Sequence, residues 1–173
     1  MIPGRQVRFF SAFALAIVAT CWAADAVWLD VPFIAQEKNG CGSAALAMTM
    51  RYWGTPADAL RIQSELYSPV EKGIPASALV RYLEEHGFEA HVFRGEWPDL
   101  QHHLSQGRPL IVCFKPTRGS TLHYAVAAGA DAHRVSLNDP ADRKLRKWDR
   151  AAFEKCWRAA GAWTLLAVPQ PSR

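Results

Sequence analysis

The 173-residue chain is half hydrophobic and 21% charged, with a formal charge of +4 at pH 7, so it can bury a core and is neither disordered nor a polycation. Its Lys and Arg are scattered apart from Arg143-Lys144-Leu145-Arg146-Lys147, which reads foremost as a solvated face and otherwise as a phosphate or lipid contact. No DNA- or RNA-binding motif accompanies that run, and nucleic acid is not supported as a partner.

Residues 1–26 differ from the rest. Arg5 and Arg8 precede an uncharged, mostly apolar run at residues 9–20, and small residues follow at Ala23, Ala24 and Ala26. Twelve residues fall short of a membrane span, and the pattern is that of a secretory signal peptide. Its removal leaves residues 27–173 as one exported domain, periplasmic or secreted, without a transmembrane helix. Two other fates stay open: an uncleaved signal anchor, and lipidation at Cys21, because Val18-Ala19-Thr20-Cys21 resembles a lipobox.

In chain order, residues 27–34 alternate and include Pro32, which suggests an extended approach. Helical spacing then runs from Cys41 to Trp53, with Gly54 suited to a left-handed cap. Thr55-Pro56 has the form of an N-cap and first helical residue for a second helix ending near Leu66. Residues 67–74 read as a loop, and a third helix starts at Pro75 and stops at His86-Gly87. From residue 89 the period changes. A short strand at 89–93 and a helix at 98–106 lead to PLIVCF (109–114), a continuous apolar strand of the central-sheet kind. Strands at 122–128 and 135–137, a helix at 150–159 and a closing strand at 163–168 complete the chain. Helices first and mainly antiparallel strands later define an α+β domain with the Cys41 helix packed on the sheet.

Cys41 stands between Gly40 and Gly42 at the start of its helix. Free N–H groups and the positive end of the helix dipole favour a thiolate there, and flanking glycines allow close approach of a substrate chain. Taken alone, the same stretch also fits a buried cysteine in an ordinary core helix. Gln36, five residues upstream, can offer an amide to an oxyanion. If Cys41 stays reduced, the remaining Cys113 and Cys156 either form a disulfide or are two buried thiols.

A thiol hydrolase also needs an imidazole and a group to orient it. Of six histidines, His123 opens a strand directly after the Arg118-Gly119-Ser120-Thr121 loop, and Asp139 follows sixteen residues later at the end of the next strand. Antiparallel pairing of those strands brings Asp139 within reach of the His123 ring. Separately, His123 also fits a core histidine, and Asp139 an Asp-Pro turn. The remaining histidines and cysteines do not match a zinc-ligand spacing.

Gln36, Cys41-Gly42, Ala45-Leu46-Ala47-Met48, Tyr52-Trp53-Gly54, Leu122-His123-Tyr124-Ala125-Val126 and Asp139-Pro140, in this order, resemble the C39-like cysteine peptidases. That family has a papain-like fold and includes bacteriocin leader-processing domains. The resemblance covers nearly all of the mature chain. It implies Cys41 as nucleophile, His123 as general base and acid, Asp139 as its orienter, and Gln36 with the Cys41 N–H as the oxyanion hole. It also implies a peptide or protein substrate and no cofactor. Gln36 lies five residues before Cys41 where the family often has six. The leader-processing members are usually fused to transporters, so cleavage of double-glycine leaders is not implied. The same triad serves acyl transfer and amide hydrolysis, and a non-catalytic binding domain can share the fold. Cleft walls are expected at residues 67–74 and 115–121.

Overall fold

PLIVCF becomes the most deeply buried strand because it is covered on both sides. In the computed structural model, which describes residues 26–117 and 121–171, this strand is β3, Leu110–Phe114. Ile111 and Cys113 face one hydrophobic cluster, while Leu110, Val112 and Phe114 face a second. An alternating strand buried on both faces reads as continuously apolar. Residues 1–25, which hold most of the expected signal segment and Cys21, lie outside the described residues.

The sheet takes the order β2-β7-β3-β4-β5-β6, with β1 (Val27–Trp28) on β4. The other strands are β2 (Phe88–Arg94), β4 (His123–Ala130), β5 (Arg134–Asn138), β6 (Arg146–Asp149) and β7 (Trp163–Pro169). The pairings of these strands are all antiparallel. Helices α1 (Cys41–Tyr52), α2 (Ala59–Leu66) and α3 (Ala76–Glu85) lie over one face. On the other, α4 (Trp97–Ser105) and α5 (Arg150–Arg158) contribute Leu100, Leu104, Phe153 and Trp157. The fold is α+β as expected, with helices on both faces of the sheet. Among the described residues no helix is long and apolar enough to cross a membrane.

Two local expectations change. The second helix does not begin at Thr55-Pro56. Gly54 sits at φ 81°, its N–H reaches the Arg51 carbonyl at 3.0 Å, and the Thr55 N–H reaches the Met50 carbonyl at 2.9 Å. This double closure, a Schellman motif, uses Thr55 to finish α1. The cap of α2 passes to Asp58, whose carboxylate accepts from the N–H groups of Leu60 and Arg61 at 2.8 and 3.1 Å. The basic run at 143–147 is not wholly a solvated face either. Arg146 and Lys147 open β6, which pairs with β5, and Lys144 is salt-bridged to Asp30 at 2.6 Å. Strand formation there follows from pairing, since four residues reading Arg-Lys-Trp-Asp carry no apolar alternation.

Cys113 and Cys156 are free thiols. Cys113 packs in the cluster on the α1 face, and Cys156 packs against the cluster on the α5 face, so the sheet stands between them. Of the two arrangements left open by the sequence, the structure has two free thiols rather than a bridge, with Cys113 buried and Cys156 half-buried.

Candidate active site

Cys41 is the first residue of α1, and its location follows from the residues around it. Gly40 precedes the helix without a side-chain cap, so no capping side chain competes for the first N–H groups. A Cβ at Gly40 would approach the Glu37 carbonyl oxygen to 3.0 Å, so the turn into the helix is tight at this position. Beyond it, Gly42 to Met50 are all buried, so α1 runs through the core and fixes its N-terminus rigidly.

β4 presents His123 at its first residue, where Phe114 is its cross-strand partner on β3. The two rings meet edge to face at 5.2 Å, and Trp148 closes on Phe114 from behind at 5.6 Å. β5 delivers Asp139 one residue past its end. Asn138, fully buried, ties that corner down: its amide donates to the Val31 carbonyl at 2.9 Å and its oxygen accepts from the Leu145 N–H at 3.0 Å.

The sequence-derived triad comes together. His123 Nε2 lies 2.7 Å from Asp139 Oδ1, which leaves Nδ1 for the hydrogen bond between this ring and Cys41. Asp139 is only 1% exposed. A carboxylate taken that far from water needs partners, and it has three: His123, the Ala141 N–H at 3.1 Å and Arg146 Nη1 at 2.9 Å. Arg146 was not apparent from sequence as part of the site. It also contacts Asp142 at 3.3 Å and lies over the Trp148 ring at 4.7 Å. Its only sequence signal was membership of a basic run that closely follows Asp139.

Electrostatics follow the geometry. Burial by itself raises the Cys41 thiol, but the hydrogen bond to His123, backbone hydrogen bonds at Tyr124 and Gly42, and the charge of His123 bring it below its ordinary value. Burial opposes the charged form of His123 as well, yet Asp139 and Cys41 push the imidazole up to about 9. For Asp139, burial is again outweighed, by His123, the Ala141 N–H and Arg146, and its carboxyl lies below the usual range. Burial and the nearby Cys41 push Cys113 up to about 12, outweighing a backbone hydrogen bond at His123 and the charge of Lys115. The two neighbouring cysteines are therefore shifted in opposite directions, Cys41 toward the thiolate and Cys113 toward the thiol.

Gln36 lines the same cleft as Cys41 and His123, an open depression of about 660 Å³. Its backbone N–H donates to the Pro140 carbonyl at 2.9 Å, which joins the expected oxyanion donor to the turn that carries Asp139. Its side-chain oxygen is buried without a hydrogen-bond partner. The walls include Glu71, Lys72, Ile74, Lys115, Leu122 and Tyr124, so both expected loops contribute, although residues 118–120 lie outside the described part.

The other histidines are engaged elsewhere. His86 bonds the Tyr82 carbonyl at 2.7 Å, His91 faces Glu89 at 3.6 Å, and His102 and His103 contact each other on α4. His133 lies in the turn before β5, where its backbone N–H donates to the Asp131 carboxylate at 2.7 Å. Among the described residues no three His, Cys, Asp or Glu side chains converge as a metal set.

A thiol at a helix N-terminus, an imidazole pinned by a buried carboxylate and an amide lining the same open cleft make up the candidate site. Residues 28–164 match the Peptidase_C39 like family, and the chain belongs to that family. It is similar to the Lactococcin-G-processing and transport ATP-binding protein LagD of Lactococcus lactis subsp. lactis, at 27% identity over 139 residues, 79% of this chain. The chain spans only 18% of that relative's length. Among solved structures it resembles a C39-like protein of Bacillus anthracis, with TM-score 0.69 and 19% identity over 86% of this chain and all of the other. It also resembles a double glycine motif protease from an AMS/PCAT transporter, solved with the leader peptide, with TM-score 0.67 and 22% identity over 83% of this chain and 95% of that one.

Proposed function

We propose that this protein is an exported cysteine peptidase that cleaves a peptide bond through an acyl-enzyme on Cys41. The observation that carries the reading is the pinned imidazole: His123 is held at 2.7 Å by a buried Asp139 and hydrogen-bonded to a thiol whose pKa is lowered. A structural histidine or cysteine needs no such chain of partners.

The proposed cycle begins with the Cys41 thiolate and the His123 imidazolium. Sγ attacks the scissile carbonyl carbon and a C–S bond forms. The carbonyl π pair moves to oxygen, where the Cys41 N–H and the Gln36 amide stabilise it. Collapse breaks the C–N bond while His123 Nδ1 gives its proton to the leaving amine. The neutral ring then takes a proton from water, hydroxide adds to the thioester, and collapse expels the thiolate beside a recharged imidazolium. Asp139 remains ionised throughout and stabilises the charged ring. With p-nitrophenyl acetate as a probe, Cys41→Ala should abolish turnover while leaving the unfolding temperature near wild type. Gln36→Ala should cost about 10²–10³ in turnover. Retained activity in the first variant would overturn the reading; an unchanged rate in the second would reassign the oxyanion donor.

Export rests on residues 1–26, whose basic start, apolar run and small-residue exit form a secretory signal. The intact mass of protein recovered from the cell envelope or medium should lack that segment, with an N-terminus near Val27. Full-length chain confined to the cytosol would refute export without touching the chemistry. The double-glycine and leader-peptide specificity of the similar transporter proteins is not proposed for this chain, because the loops that line its cleft carry no readable counterpart.

A further inference from the structure

The turn that delivers Cys41 is held by two polar side chains outside the cleft. Ser43, 2% exposed, has its Oγ 3.0 Å from the Gly40 carbonyl oxygen and 2.9 Å from Gln63 Oε1, so its single proton is shared between two acceptors. Gln63, on α2, donates from Nε2 to the Asn39 carbonyl at 3.4 Å. Two successive peptides are thus tied, Asn39–Gly40 by Gln63 and Gly40–Cys41 by Ser43. The first of them follows Asn39 at φ 59°, a left-handed conformation that asparagine tolerates better than most non-glycine residues.

The second peptide matters chemically. A trans peptide is planar, with its C=O and N–H pointing in opposite directions, so fixing the Gly40 carbonyl fixes the direction of the Cys41 N–H. That carbonyl also accepts the Ala44 N–H at 3.0 Å. Hydrogen bonds to a carbonyl polarise its peptide and strengthen the N–H at the other end. Ser43 and Gln63 do not line the cleft around Cys41 and need not touch substrate.

We infer that Ser43 and Gln63 are positioning residues for the oxyanion hole: they aim and polarise the Cys41 N–H without helping to form the thiolate. This rests on the hydrolase reading above. Two reactions of the same sulfur separate the roles. Alkylation by iodoacetamide needs the thiolate but forms no oxyanion. Acylation by p-nitrophenyl acetate needs both.

In Ser43→Ala, acylation should fall roughly tenfold, short of the loss expected for deleting a donor outright, while alkylation at every pH stays at the wild-type rate. Folding should be retained, since Ala is the best helix former. Gln63→Leu should move the two rates in the same way by a smaller factor. A parallel fall in both reactions would show a general structural role and overturn the inference, as would no change in either. Wild-type protein that is alkylated at low pH but never acylated would overturn the hydrolase reading and this inference with it.

Discussion

Asp139→Asn is expected to reduce turnover of an acylating substrate by roughly 10²–10⁴ with little change in substrate binding. The reason is local. The carboxylate accepts on both sides, from His123 and the Ala141 N–H at Oδ1 and from Arg146 at Oδ2. An amide has one acceptor and one donor end, so one side must lose. The charge-assisted bond to Arg146 is the stronger claim on the oxygen, and it turns the NH₂ toward His123 Nε2. A donor in that place favours the tautomer protonated at Nδ1, which cannot take a proton there, and the imidazolium loses its counter-charge. Adding Arg146→Met should therefore restore part of the activity, because the amide oxygen becomes free to face the ring. Full activity in the single variant would remove Asp139 from the site. A single-variant loss unchanged by the Arg146 substitution would leave the missing charge, rather than the amide's orientation, as its cause.

How far the sequence could be read depended on whether a residue's role was local or required a partner. Cys41 was legible because glycines, small residues and helical spacing all lie within a few positions. β3 was legible because burial on both faces writes itself as an unbroken apolar run. The approach of Asp139 to His123 followed from strand order, once β4 and β5 were taken as antiparallel neighbours, and the observed pairing of Val126 with Asn138 sets that register. β6 was not legible, since its residues are polar and only pairing with β5 makes them a strand. Arg146 was missed for the same reason, as was the Ser43–Gln63 contact between two helices twenty residues apart. Thr55-Pro56 misled because a residue suited to open one helix was already closing another. Gln36, whose role came from the family resemblance, lines the cleft that holds Cys41, and its chemistry is a matter for the substitution described above.

His123→Ala should convert Cys41 from a readily labelled cysteine into a sluggish one. Burial is the largest influence on the thiol and it acts upward; the histidine is the foremost opposing contribution. Remove the ring and burial is opposed only by the backbone hydrogen bonds at Tyr124 and Gly42, so the thiol should move upward. Iodoacetamide labelling near neutral pH should then fall by about tenfold or more, since the thiolate fraction drops in proportion as the sulfur holds its proton more tightly. Wild-type labelling should instead begin well below the ordinary thiol range and reach a plateau. That plateau should persist as pH passes about 9, where His123 loses its proton, because the thiolate remains. Hydrolysis should decline over the same interval, since no imidazolium is left to protonate the leaving amine. Labelling is the cleaner readout than melting, because the linkages oppose one another. The raised His123 contributes stability that is complete below its ordinary value of 6.5 and is lost as pH rises through about 9. The lowered Cys41 contributes stability that is present above its ordinary value of 9.0 and lost as pH falls through its folded value. A wild-type labelling curve that rises only near the ordinary thiol pKa, and that His123→Ala leaves in place, would mean that the two side chains are neighbours without being a catalytic pair.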